Sequence, residues 1–170
     1  MGLHMLVVFA GLPGCGKTTI ARALAARIAA VYLRIDTIEQ AVRDAGLVND
    51  DLGAAGYIVA YAVAAENLAG GRSVVADCVN PLAITRLSWR DVARQAGADI
   101  FDIEVVCSDE AEHRRRVETR VQDIKGLALP TWQQVMERQY EAWTTPHFVV
   151  DTALLGIEEG IDSVARYLKS

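Results

Sequence analysis

Short apolar runs alternate with longer stretches of helical periodicity along almost the whole chain. Met5 to Ala10 is a continuous apolar run with the length of a strand buried on both faces. From Thr19 to Ile28 apolar residues recur at helical spacing, with Arg22 and Arg27 on the other face. The alternation then repeats. Val31 to Ile35 reads as a second strand ending at Asp36, and Thr37 to Ala45 as a short helix with Thr37 as its N-cap and Gly46 as its stop. Asp50 to Ala69 reads as a longer helix closed by Gly70-Gly71. Ser73 to Ala76 is a third strand, ending at Asp77, and Pro81 opens a helix to about Gln95, with Gly97 after it. Ile100 to Val106 is a fourth strand. Asp109 starts a highly charged helix to about Val121, followed by a break, Gln122 to Pro130, that contains Gly126. Thr131 to Trp143 predicts another helix, Phe148 to Val150 a last strand, and Ile157 to Leu168 a closing helix.

Five strands alternating with helices predict an α/β domain, a parallel sheet with helices on both faces. No repeat, linker or low-complexity stretch divides the 170 residues, so one domain is expected over 5–170. Met1-Gly2-Leu3-His4 is set apart as a remnant ahead of a natural start at Met5, and His4 is not a ligand candidate. Ligands of such sheets gather at the carboxyl ends of the strands. The pattern places Asp36, Asp77, Ser108 and Asp151 there, together with the segment after the first strand.

That segment, Gly11-Leu12-Pro13-Gly14-Cys15-Gly16-Lys17-Thr18, matches G-x-x-x-x-G-K-[ST], the phosphate-binding P-loop. Its flanks are right, with a strand before it and a helix, from Thr19, after it. The glycines let backbone N–H groups approach phosphate oxygens, and the helix N-terminus adds its partial positive charge. Lys17 supplies a compact cation for the β- and γ-phosphates. The Thr18 hydroxyl suits Mg²⁺, which takes small oxygen ligands. The loop implies a bound nucleoside triphosphate and leaves the fate of the phosphate open.

Other residues suggest that fate. Asp36 can accept a proton from a substrate hydroxyl as its oxygen attacks phosphorus, or can simply cap the next helix. Arg34, two residues earlier on the same strand face, can hold an anionic substrate or neutralise Asp36. Asp77 ends an apolar run as a Walker B acid does, so it can serve metal or substrate, or satisfy local backbone donors. Arg116 and Arg120 are four apart before the break. They can close over the transferring phosphoryl group with the break as a lid, or form a solvated face with Glu110, Glu112 and Glu118. Arg114 and Arg115 read as solvated, His113 as surface and His147 as structural. Trp89, Trp132 and Trp143 read as packing residues. Tyr57 and Tyr61 share a helix face and serve an acceptor pocket or the core.

Composition narrows the class. A hydrophobic content of 52% with 23% charged residues fits an ordinary globular protein, and the net charge of −5 argues against a general nucleic-acid coat while leaving room for a local basic groove. Cys15, Cys78 and Cys107 show no C-x-x-C or Cys/His spacing, so neither a disulfide framework nor a zinc site is expected, and a reducing cytoplasm fits. There is no secretory signal and no apolar run near the roughly 18 residues that span a membrane.

Together these residues resemble the small P-loop kinases. This group includes polynucleotide 5′-kinases, chloramphenicol phosphotransferase-like enzymes, zeta-toxin-like kinases and gluconate kinases, and its chains are also called predicted AAA-type ATPases. The resemblance rests on the P-loop, on Asp36 after strand two, on Asp77-Cys78-Val79-Asn80-Pro81 with Arg86, and on Arg116-x-x-x-Arg120 before a lid at about 116–131. It implies a three-layer P-loop NTPase fold with sheet order 2-3-1-4-5. It further implies ATP and Mg²⁺, Asp36 as general base, Asp77 and Asn80 at metal or acceptor, and Arg116 and Arg120 on the phosphates or adenine. Asp151 and Thr152 would border the adenine. The expected activity is ATP-dependent phosphoryl transfer to a hydroxyl of a small molecule. A polynucleotide or nucleotide kinase is one alternative. The other is a regulatory NTP-binding module, in which Arg34 pairs with Asp36 and the space beside it is closed; an open pocket there favours a kinase.

Overall fold

The computed structural model describes residues 4–46 and 52–170. Strand β1 (Met5–Ala10) leads through the P-loop into helix α1 (Lys17–Arg27), then β2 (Val31–Arg34) and α2 (Ile35–Asp44). Helix α3 (Ala55–Ala69), β3 (Val74–Asp77), α4 (Ala83–Ala96) and β4 (Asp99–Val106) follow. Helix α5 (Glu110–Thr119), the short α6 (Trp132–Met136), β5 (Phe148–Asp151) and α7 (Ile157–Tyr167) complete the chain. The strands form one parallel sheet in the order β2-β3-β1-β4-β5, as expected.

Alternation along β1 explains the layers. Val7 and Phe9 face one side, where α1 and α7 contribute Ile20, Leu24, Ile161 and Val164. Leu6 and Val8 face the other, where α3 and α4 contribute Ala60, Ala64, Leu68 and Trp89. Strand β1 thus buries both faces, which is why it reads as an unbroken apolar run. The register also sets the site. Arg34 pairs with Asp77 and Phe9 with Asp77, so the carboxyl ends of β2, β3 and β1 come level.

The sequence expectations shift in four places. Strand β2 ends at Arg34, and α2 begins directly at Ile35, so Asp36 lies in the first helical turn and Thr37 is not the N-cap. The buried Ile35 anchors that turn in the core, and a carboxylate there is favoured by the helix dipole. Helix α3 starts at Ala55, while the expected start at Asp50 lies outside the described residues. Helix α5 stops at Thr119, so Arg120 is its C-cap rather than part of its face.

The helix expected over 131–143 runs only from Trp132 to Met136. Beyond it Arg86 captures the chain. This buried guanidinium donates to the carbonyls of Asn80, Pro81, Glu141 and Ala142 and lies 4.0 Å from the centre of the Trp143 ring. The Glu141 N–H, which a helix would give to the Glu137 carbonyl, donates instead to the Pro81 carbonyl at 2.8 Å.

Candidate active site

The P-loop is held through the carbonyls of Pro13 and Cys15 and through the N–H of Gly11. The Thr152 hydroxyl donates to the Cys15 carbonyl at 2.7 Å, and His113 Nε2 lies 2.8 Å from the Pro13 carbonyl. The Gly11 N–H donates to the Val79 carbonyl at 3.1 Å. Gly11 sits at φ 143°, with the Val105 carbonyl where a side chain would begin. Gly16 caps α1 in the left-handed region at φ 97° with no side-chain cap, so the first N–H groups of α1 remain open to an anion. Lys17 is buried at the first position of that helix.

Beside the loop, three carboxylates surround one cation. Arg34, only 5% exposed, donates to Asp123 at 2.6 and 3.2 Å, and lies 3.6 Å from Asp36 and 3.8 Å from Asp77. Asp123 comes from the lid segment and also meets Arg22 at 3.3 Å and Arg120 at 3.9 Å. Its hydrogen bonds with Arg34 hold its carboxyl down to about 2. Burial works against the Arg34 charge, and the Asp123 hydrogen bonds together with the charges of Asp123, Asp36 and Asp77 outweigh it, so the Arg34 pKa rises. Asp77 is buried, and its Oδ2 accepts from the Tyr32 hydroxyl at 2.7 Å. Burial first, and then Asp77, push the Tyr32 hydroxyl pKa up, so this donor stays protonated.

Two cavities flank this cluster. One, about 600 Å³, runs along the start of α1 past Thr18, Thr19 and Arg22 to Arg116 and Asp123. The other, about 510 Å³, lies between α2 and the lid and includes Asp36, Glu39, Arg43 and Arg138. Lys17 and Arg120 line both.

A family model described as an AAA domain matches residues 6–142. The chain belongs to this AAA-domain family. The AAA-domain protein also shares its fold with kinases of known structure. A proposed kinase from Chloroflexus aurantiacus aligns with TM-score 0.77 at 21% identity, over 99% of this chain and 98% of the other. A sugar kinase from Janibacter sp. aligns with TM-score 0.72 at 18% identity, over 98% and 95%. The Mycobacterium tuberculosis APS kinase CysC, solved with AMPPNP and APS, aligns with TM-score 0.64 at 20% identity, over 99% of each chain. No curated protein matches the chain.

Several site candidates of this AAA-domain protein come together, and others do not. Lys17, Thr18, Thr19, Arg116 and Arg120 share the first cavity, while Asp36 shares the second with Lys17 and Arg120. Arg116 joins the lid base to the loop after β5, donating to the Thr152 hydroxyl at 2.8 Å and the Thr152 carbonyl at 3.1 Å. Asp151 shapes that loop by accepting from the Ser108 and Ala153 N–H groups; burial raises its pKa, and hydrogen bonding by the Ser108 side chain together with these N–H groups outweighs it and lowers the pKa. Arg114 and Arg115 pair with Glu118 and Glu112 on a solvated face.

Asn80 is fully buried at φ 49° and lines neither cavity; its N–H donates to Tyr57, and its side-chain amide has no partner. Tyr57 and Tyr61 therefore hold the β3–α4 connection, with Tyr61 donating to the Thr85 carbonyl. His113, expected at the surface, is buried under the P-loop. Its spacing of four from the buried Val117 was the available signal. Asp123, Tyr32 and Arg138 carry no motif, and nothing local in the sequence marked them.

Proposed function

We propose that the protein is an ATP-dependent phosphotransferase that moves the γ-phosphate to a hydroxyl of a small molecule. The observation that carries this reading is the pair of cavities meeting at Lys17 and Arg120. The first cavity takes the nucleotide against the P-loop. The second has a volume suited to a small molecule and contains a carboxylate, Asp36, that is 37% exposed and available to it. Kinases such as the Janibacter sugar kinase and CysC with AMPPNP and APS share this fold and support the reading.

In this mechanism the acceptor oxygen attacks the γ-phosphorus, and the bond to the oxygen bridging the β- and γ-phosphates breaks. The acceptor proton passes to an Asp36 oxygen, and ADP leaves. Lys17 and Arg120 stand where negative charge develops. The residues present fit Mg²⁺. The Thr18 hydroxyl makes no hydrogen bond to the protein among the described residues, and Asp77 adds a hard carboxylate oxygen. No cluster of three or more His, Cys, Asp or Glu placed for a metal occurs among the described residues, so triphosphate oxygens would complete the shell. A metal held there would neutralise charge on the phosphates.

The space beside Asp36 is open and Arg34 has Asp123 as its main partner, which favours an enzyme over a regulatory module. Nucleic acid is not the favoured acceptor, given the net charge of −5. No described helix is long and apolar enough to cross a membrane, and the three cysteines are free and buried, which suits a cytoplasmic setting. A screen of ATP consumption against sugars, nucleosides, antibiotics and 5′-hydroxyl oligonucleotides tests the activity. Asp36→Asn should keep AMPPNP affinity and lower transfer at least about 100-fold. Undiminished transfer in that variant removes Asp36 as base.

A further inference from the structure

Asp77 has one oxygen committed and one unused. Its Oδ2 accepts from the Tyr32 hydroxyl at 2.7 Å and lies 3.8 Å from Arg34 Nε. Its Oδ1 accepts no hydrogen bond among the described residues. Arg34 does not set this orientation, because its guanidinium gives its hydrogen bonds to Asp123 and its Nε makes none. Among the described residues, Tyr32 is the sole hydrogen-bond donor to the Asp77 side chain.

The sheet explains why the two side chains meet. Tyr32 pairs with Val75 and Arg34 with Asp77, so alternation along both strands puts all four on one face. Val75 and Tyr32 belong to the cluster that holds Ile20, Ala21 and Leu24, so α1 covers this face. Helix α1 begins at Lys17, after the P-loop, and carries Thr18 in its first turn. Asp77 ends its strand level with Phe9, just ahead of that loop. The Tyr32 ring is packed in the cluster, with the Arg22 guanidinium 5.9 Å from its centre, and its hydroxyl reaches Asp77. The last torsion of an aspartate is soft, so a fixed donor on one oxygen decides which oxygen faces the site.

We propose that Tyr32 is a positioning residue for the metal site: by holding Oδ2 of Asp77, it leaves Oδ1 for Mg²⁺ or for a water bound to it. This role rests on the phosphotransferase reading and its Mg²⁺, and it falls to a residue outside the P-loop motif.

The test follows Mn²⁺, which replaces Mg²⁺ and is counted as free ion by its EPR signal, binding to the full chain with equimolar AMPPNP. Partners that orient a metal ligand are worth about 10–100-fold in metal affinity, so Tyr32→Phe should weaken Mn²⁺ binding about tenfold or more. Metal-free AMPPNP affinity should not change. Asp77→Asn should weaken Mn²⁺ at least as much, and adding Tyr32→Phe to it should change nothing further, because Tyr32 acts through that carboxylate. A packing role alone would lower the melting temperature of Tyr32→Phe and leave its Mn²⁺ affinity in place. Wild-type Mn²⁺ affinity in either single variant, a further loss in the double variant, or a matching loss of metal-free AMPPNP binding overturns the proposal. Transfer from ATP is followed separately. The full set of Mn²⁺ effects without any acceptor phosphorylated counts against the phosphotransferase reading and leaves the role of Tyr32 standing.

Discussion

The P-loop and the lid are both irregular segments over the same site, yet they are held in opposite ways. The loop is tied by hydrogen bonds to three separate elements through Val79, His113 and Thr152, and its glycines lie against Val105 and Val117 with no room to spare. The lid is anchored by one half-exposed carboxylate, Asp123, shared among Arg34, Arg22 and Arg120, and by Gly126 lying against Gln40. The nucleotide side is therefore preset, while the roof of the second cavity hangs on charge. Salt screens the second arrangement far more than the first.

The comparison can be broken most severely at Gly11. Gly11→Ala forces a side chain into a backbone conformation that essentially only glycine adopts, against a carbonyl. A loss of about 3 kcal/mol in urea unfolding is expected, together with loss of AMPPNP binding. Unchanged stability would show that the loop is not rigidly seated.

A milder cut is Thr152→Val. It removes the donor to the Cys15 carbonyl and leaves that carbonyl and Arg116 short of a partner. About 1–2 kcal/mol of stability should go, and nucleotide affinity should fall severalfold in calorimetric titration. Unaltered nucleotide affinity would separate Thr152 from the loop's function.

The smallest effect belongs to Asp123→Asn. Asp123 is partly exposed, and the buried Arg34 keeps Asp36 and Asp77 beside it, so the change in global stability is about 1 kcal/mol or less, but amide exchange in residues 120–130 should quicken while the P-loop stays protected. The pH dependence has a definite sign. Asp123 is more acidic folded than unfolded, so its contribution is complete above about pH 4, the ordinary carboxylate range, and is lost as pH falls through about 2. An NMR titration of its carboxyl carbon with a midpoint near 4 would remove Asp123 as the anchor.

This contrast also explains what the sequence made legible. The P-loop is contiguous, and its glycines, Lys17 and Thr18 have meaning at fixed spacing, so the donor side was readable before any fold existed. The sheet order followed from the resemblance that those residues carried. The second cavity is assembled from α2, the lid and the turn after α6, and no local spacing joins Asp36 to Arg138. Asp123 looked like one more acid in a polar break, and only the register that levels Arg34 with Asp77 gives it a partner. The expected helix over 131–143 failed for a similar reason, because the Glu141 N–H is drawn to the Pro81 carbonyl and the chain beside it to Arg86, both more than fifty residues away.

That arginine has a consequence of its own. Carbonyl dipoles and the faces of Trp143 and Tyr140 satisfy the Arg86 guanidinium, and among the described residues no carboxylate sits within ion-pair distance of it. All three of its nitrogens donate, while its unit of charge is met only at longer range, by Asp102. It grips the Asn80 carbonyl, one residue from the Val79 carbonyl that ties down Gly11. The interior thus keeps a buried positive pole behind the phosphate cradle, where low polarisability lets its field reach further than a surface cation's would.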